Sequence, residues 1–177
     1  MSTDGRTGGP SAAEEALSML ARRPLTEAEV RRRLAARDHS EEAVGRACAY
    51  LREGGYVDDE RLALDFIVLR AERLGHGPSR LIDELCRRGV EREVAAQALR
   101  RAIDQGDIDP QRLLRRRLER LLRSAPSQPD IRDRARVYNA LRRAGFDDDA
   151  IGRELASLDG PEPHEEPRTD ETTDELS

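Results

Sequence analysis

The sequence predicts an all-α protein: an elongated, curved solenoid of three tandem three-helix repeats, about nine helices in all, with disordered termini. Three observations carry this expectation. Only five of the 177 residues are aromatic, against 37% hydrophobic and 38% charged residues overall, so Leu, Ala and Val must fill the interior. These residues suit helices better than sheets. Apolar residues recur at spacings of three and four, which puts one stripe of each helix inward. A segment of the form Leu-x-x-x-(Gly)-apolar, followed by acids, occurs three times.

Residues 1–10 are rich in Gly, Ser and Thr, with no apolar anchor beyond Met1, and are expected to be disordered. The first helix starts at Ser11-Ala12-Ala13-Glu14, which has the form of a capping box, and turns Leu17 and Leu20 inward. A second capping box, Thr26-Glu27-Ala28-Glu29, adds a Leu25/Val30 pair at staple spacing and leads into Val30/Leu34. Ser40, before Glu41 and Glu42, opens the third helix with Val44, Cys48 and Leu51, which Gly54-Gly55 stops. Asp58-Asp59 restarts the chain into Leu62/Phe66/Leu69, as far as Gly75. Gly77-Pro78 opens the fifth helix around Leu81/Leu85, and Gly89 closes it. The sixth follows Glu91-Arg92-Glu93 with Val94/Ala98, and Asp109-Pro110 opens the seventh with Leu114/Leu118/Leu121. Val137/Leu141 runs up to Gly145, and Asp147-Asp148-Asp149 begins the last helix, with Ile151/Leu155.

The repeat reads Leu34 to Glu42, Leu85 to Glu93 and Leu141 to Asp149. Each unit should have a long first helix, a short second one, a tight turn, and a third helix whose leading acids favour its positive end. The expected divisions are 11–57, 58–108 and 109–158, with a disordered acidic tail over 159–177. One unit alone is too short to bury its apolar faces, so neighbours should stack. The first turn departs from the pattern. It has Asp38 and His39 where the others have Gly followed by Val90 or Phe146, and Asp enters the left-handed region less readily than Gly.

The composition excludes several classes of function. Cys48 and Cys86 stand apart, with no CxxC or Cys/His pattern, and His39, His76 and His164 are scattered, so no metal or redox site is expected. There is no phosphate loop, no HExxH and no nucleophile elbow. The acid pairs fall at helix starts, where carboxylates cap N–H groups. We therefore expect no enzyme and no cofactor. No apolar stretch suits a signal peptide or a bilayer span, and the expected location is the cytoplasm.

Charge is divided unevenly along the chain. All 31 basic residues are Arg. The tail from Asp159 carries eight acids and one Arg, leaving 30 Arg against 28 acids in residues 1–158, a net of +2. The tail reads as a solubilising spacer or as a competitor with DNA for the Arg-rich last repeat. On a helix Arg112, Arg116, Arg120 and Arg123 share one face, which could follow a phosphate backbone. A helix-turn-helix-like DNA-binding protein is thus the alternative. The third helices argue against it, because their leading acids would be repelled by phosphate where a recognition helix makes contact.

The stretch Gly55-Tyr56-Val57-Asp58-Asp59-Glu60-Arg61-Leu62-Ala63, followed by Arg70 and Gly77-Pro78-Ser79-Arg80-Leu81-Ile82-Asp83-Glu84-Leu85, resembles the RecX modulators of the RecA recombinase. The opening from Ala16 to Thr26 is also similar to that family. The resemblance implies a monomeric regulator of homologous recombination, DNA repair and the SOS response. It would bind the RecA–DNA filament along its groove and mainly inhibit ATP hydrolysis, strand exchange and co-protease activity. It implies no membrane partner and only weak contact with single- or double-stranded DNA. The residues expected to meet RecA or phosphate are Arg70, Arg80, Arg87 and Arg88 in the middle repeat and Arg115, Arg116 and Arg120 in the last. Gly55, Tyr56, Asp58 and Asp59 form the family signature, which reads physically as a joint: a Gly stop, an apolar plug of Tyr56-Val57, and an Asp restart.

Overall fold

A computed structural model describes residues 11–123 and 131–158; the expected disordered segments 1–10 and 159–177 lie outside them. Among the described residues there are nine helices and no strand. They are α1 (Ala12–Leu20), α2 (Glu27–Ala35), α3 (Glu41–Glu53), α4 (Asp59–Leu74), α5 (Pro78–Arg88), α6 (Arg92–Asp104), α7 (Pro110–Arg123), α8 (Ile131–Arg143) and α9 (Asp148–Ala156). They group as three successive trios, and the closest helix pairs fall inside a trio. A long first helix is found in α4 and α7, with 16 and 14 residues. In contrast, α1 has nine. None of these helices is long and apolar enough to cross a membrane.

Both capping boxes form. Ser11 Oγ accepts from the Glu14 amide at 3.3 Å while Glu14 accepts from the Ser11 amide at 2.7 Å. Thr26 and Glu29 do the same, at 3.1 Å each way. The three repeated turns share one geometry. Asp38, Gly89 and Gly145 take φ of 63°, 94° and 91°. The amides of His39, Val90 and Phe146 then donate back to the carbonyls of Leu34, Leu85 and Leu141 at 3.4, 3.1 and 3.3 Å, closing the Schellman ring that satisfies a helix's last carbonyls.

Asp38 thus takes the left-handed conformation that its place in the repeat demands, and is the one non-glycine among the described residues to do so. Asp38→Gly removes that strain, against a greater entropy loss for Gly on folding. We expect a net gain of about 0.5 kcal/mol in chemical denaturation; a loss of stability would show that the Asp38 side chain makes up the difference.

The apolar residues form two cores rather than three. The first holds Ala16, Leu25, Val30, Leu34, Val44, Cys48, Leu51 and Val57, all within the first trio and its exit. The second runs without a break from Ala63 and Ile67 through Leu81, Leu99 and Leu114 to Leu141, Phe146 and Ile151. The second and third trios therefore share one interior. The inward stripe of α4 also differs from the expected Leu62/Phe66/Leu69. Ala63, Ile67 and Ala71 are fully buried, whereas Leu69 is 46% exposed. Small residues win this face because α4 lies against the alanine-rich face of α6, Ala95, Ala98 and Ala102, and alanine lets the two backbones close together.

Candidate partner-binding surface

The signature residues build a joint. Gly55 has φ of 67°, and the Tyr56 and Val57 amides both donate to the Leu51 carbonyl, at 2.8 and 3.3 Å. Asp58 caps α4 by accepting from the Arg61 amide at 2.9 Å. Asp59 reaches sideways to the adjoining trio and accepts from the Glu27 amide at 3.0 Å, capping α2. Burial raises the pKa of this carboxyl, a shift that the Glu27 bond opposes. Val57 alone is the plug. Tyr56 is 52% exposed and stacks on Tyr50, with centroids 6.1 Å apart. The same joint recurs one repeat later: Gly106 has φ of 77°, Ile108 is buried, and Asp109 caps α7.

The candidate arginines separate by environment. Arg88 is turned inward between trios, its Nε and Nη2 on the Glu29 carboxylate at 3.2 and 2.9 Å. Burial works to raise the Glu29 pKa, but bonds from Arg88 and the Thr26 amide, with the charges of Arg88 and Arg23, hold it below the usual range. Arg115 bonds Glu154 of α9 at 2.8 Å. Arg70 is half-buried over the Phe66 ring, 5.2 Å from its centroid. Arg80 bonds Glu84 at 3.0 Å and the Arg143 carbonyl at 3.3 Å. Arg87, Arg116 and Arg120 are exposed. Arg87 bonds the Asp83 backbone carbonyl at 3.2 Å, and none of these three has a carboxylate partner among the described residues.

The fold brings Arg70 and Arg80 together with Arg117 around buried His76, at the corner between α4 and α5. Arg117 donates to the Leu74 carbonyl at 2.9 Å, satisfying the end of α4, and its pKa is lowered by burial and by Arg120 and Arg80. Sequence reasoning gives Arg117 no role. The missing signal was spatial, since the carbonyl it caps lies 43 residues away.

Burial lowers the pKa of His76; Glu84, at 3.2 Å, opposes the shift, and Arg80, Arg70 and Arg117 reinforce it. The folded chain thus takes up the His76 proton at a lower pH than the unfolded chain, which protonates near pH 6.5. The contribution is constant above that pH and is lost as pH falls from about 6.5 through the folded value. Between about pH 7.5 and 5 the melting temperature of a His76→Gln variant should fall less than that of the parent. Equal falls would contradict the assignment.

Comparison with known proteins shows the family. Residues 12–51 match the description "RecX, first three-helix domain" and residues 58–99 "RecX, second three-helix domain". The chain is 33% identical to the regulatory protein RecX of Stenotrophomonas maltophilia (strain R551-3) over 140 residues, which is 79% of this chain and 82% of that one. It is 35% identical to the regulatory protein RecX of Pseudomonas savastanoi pv. phaseolicola over 145 residues, 82% of this chain and 90% of the relative. The crystal structure of RecX from Lactobacillus salivarius superposes with a TM-score of 0.72 at 20% identity, covering 84% of this chain and 94% of that one. Two matched three-helix domains and relatives spanning most of its length establish that the chain belongs to the RecX family of regulatory proteins.

Proposed function

We propose that the protein modulates RecA recombinase by lying along the groove of the RecA–DNA filament, mainly inhibiting ATP hydrolysis, strand exchange and co-protease activity. It would act in the cytoplasm as a monomer, without cofactor or catalysis of its own, with three repeats divided at 57/58 and 108/109. Family membership supports the RecA link. The observation that carries the reading to particular residues is the exposure of Arg87 on α5 and of Arg116 and Arg120 on α7, none of them paired with a carboxylate among the described residues. Such charges speed association and set orientation more than they add affinity. Arg80, Arg88 and Arg115 drop to secondary candidates, since each already bonds a carboxylate within the fold.

The test is charge reversal of Arg87, Arg116 and Arg120 together to Glu. The concentration giving half-inhibition of RecA should rise about tenfold, or about 1.4 kcal/mol. Undiminished inhibition by a folded triple variant contradicts the assignment. Direct DNA binding is the second reading, favoured by the exposure of Arg112, Arg116, Arg120 and Arg123 along one face of α7. It predicts that the same variant loses affinity for DNA in the absence of RecA.

A further inference from the structure

Beside the turn that joins α8 to α9, an open groove runs between α5 and the last turn of α8. Arg80 and Arg87 line one wall, Arg142 and Arg143 the other, and the thiol-bearing Cys86 lies between them. Asp83 is the one carboxylate in the lining, and it already pairs with Arg92 at 3.2 Å. Arg87 spends its Nε on a backbone carbonyl. Arg142 and Arg143 are exposed and make no ion pair among the described residues. Arg80 is already paired with Glu84 at 3.0 Å, so three guanidinium groups without a carboxylate, Arg87, Arg142 and Arg143, share one groove with it in a body whose net charge over residues 1–158 is only +2. A groove lined by like charges offers complementary contacts to an acidic chain.

The sequence supplies one. Residues 159–177 carry eight acids and one Arg. Their point of departure is close: α9 starts at Asp148, just beyond Gly145 on the groove's rim, and its nine residues advance about 13 Å. The 19 residues of the tail can span about 60 Å when extended. The root-mean-square span of a random chain of that length is about 24 Å, which exceeds the length of α9. Tethering at that range gives an effective concentration of the order of millimolar, so weak Arg–carboxylate pairs suffice for occupancy.

We infer that the acidic tail, residues 159–177, docks in cis on the Arg80/Arg87/Arg142/Arg143 groove and shields it until an acidic or phosphate-bearing partner displaces it. The contact rests on the groove and the charge of the tail, and stands whether or not the partner is RecA. It is salt-sensitive, because exposed charges are screened over about 8 Å at physiological ionic strength. It also takes in Arg80 and Arg87 of the middle repeat, so the tail bridges the seam between the second and third trios.

Amide NMR spectra of the intact chain provide the first test. A full-length variant with Glu165, Glu166, Asp170 and Glu171 changed to Gln or Asn should shift the amides of residues 79–87 and 142–145 selectively. Raising NaCl from about 50 to about 500 mM should move the parent's resonances the same way. Groove amides unmoved by both changes would overturn the inference. The second test uses Cys86 as a reporter. In the full-length Cys48→Ala/Thr172→Cys variant, diamide should close an intramolecular disulfide between Cys86 and the thiol introduced in the tail. The rate should fall at least about fivefold in about 500 mM NaCl, or on reversing Arg87, Arg142 and Arg143 to Glu. A rate indifferent to both, or a covalent dimer in place of the intramolecular product, would also overturn it.

Discussion

Truncating Arg88 to Ala is expected to cost about 3–5 kcal/mol of stability, the range for removing one partner of a buried ion pair. The guanidinium sits as a fork on both oxygens of Glu29, which is 8% exposed at its side chain, against 22% for Arg88 itself. It also reaches the Pro24 carbonyl and rests over the Phe66 ring, 5.6 Å from its centroid. The Arg88 carbonyl accepts from Thr26 Oγ1 at 2.8 Å, so one residue ties the end of α5 to the start of α2 through both side chain and backbone. Without the guanidinium, Glu29 keeps the Thr26 amide and a distant Arg23 at 3.9 Å. Urea unfolding of the single variants and of Arg88→Ala/Glu29→Gln checks this. The double variant should lose clearly less than the sum of the singles, because the stranded charge is gone. A loss below about 1 kcal/mol in Arg88→Ala, the range of an exposed pair, would instead return Arg88 to the surface as a candidate for partner contact.

At the other seam the largest effect is expected from Gly145→Ala or Gly77→Ala. The Gly77 amide donates to the Ala144 carbonyl at 2.7 Å and the Ser79 amide to the Gly145 carbonyl at 3.1 Å, so two backbones are pressed together with no side chain between them. A Cβ on Gly77 would lie 2.5 Å from the carbonyl carbon and oxygen of Gly145, and one on Gly145 would run into the backbone of Arg80. Gly145 also needs φ of 91°, which costs other residues about 1–2 kcal/mol. Since backbone cannot swing aside as a side chain can, each substitution should lose about 4 kcal/mol or more, in the exceptional range for single changes. Gly45→Ala is the control. It lies within α3 with nothing near its Cβ position, and should gain about 0.5–1 kcal/mol. Comparable stability for all three variants would mean that the second and third trios are not joined as described.

What could be read from the sequence was what is enforced locally. A left-handed turn residue after a helical Leu, followed by acids that cap the next helix, leaves the same mark at Asp38, Gly89 and Gly145, and those marks delimit the helices. The inward face of α4 was misassigned because hydropathy favours Leu62, Phe66 and Leu69, while the closeness of α6 selects Ala63 and Ala71. The fusion of two trios into one core follows from the contact of Gly77 with Gly145, 68 residues on (145 − 77), which no local spacing reveals. The same limit governs the arginines. Arg87 and Arg88 are adjacent in sequence, yet one faces solvent and the other meets a carboxylate 59 residues away.

The central claim, regulation of RecA through the filament, is tested most directly by RecA ATP hydrolysis on single-stranded DNA, titrated with protein well below the RecA concentration. A parallel measurement of protein binding to the same DNA without RecA serves as control. Inhibition at sub-stoichiometric protein, under conditions where bare DNA is barely bound, is the predicted result. Inhibition that appears only at concentrations coating the DNA, in step with the control, would contradict the account and assign the activity to nucleic acid.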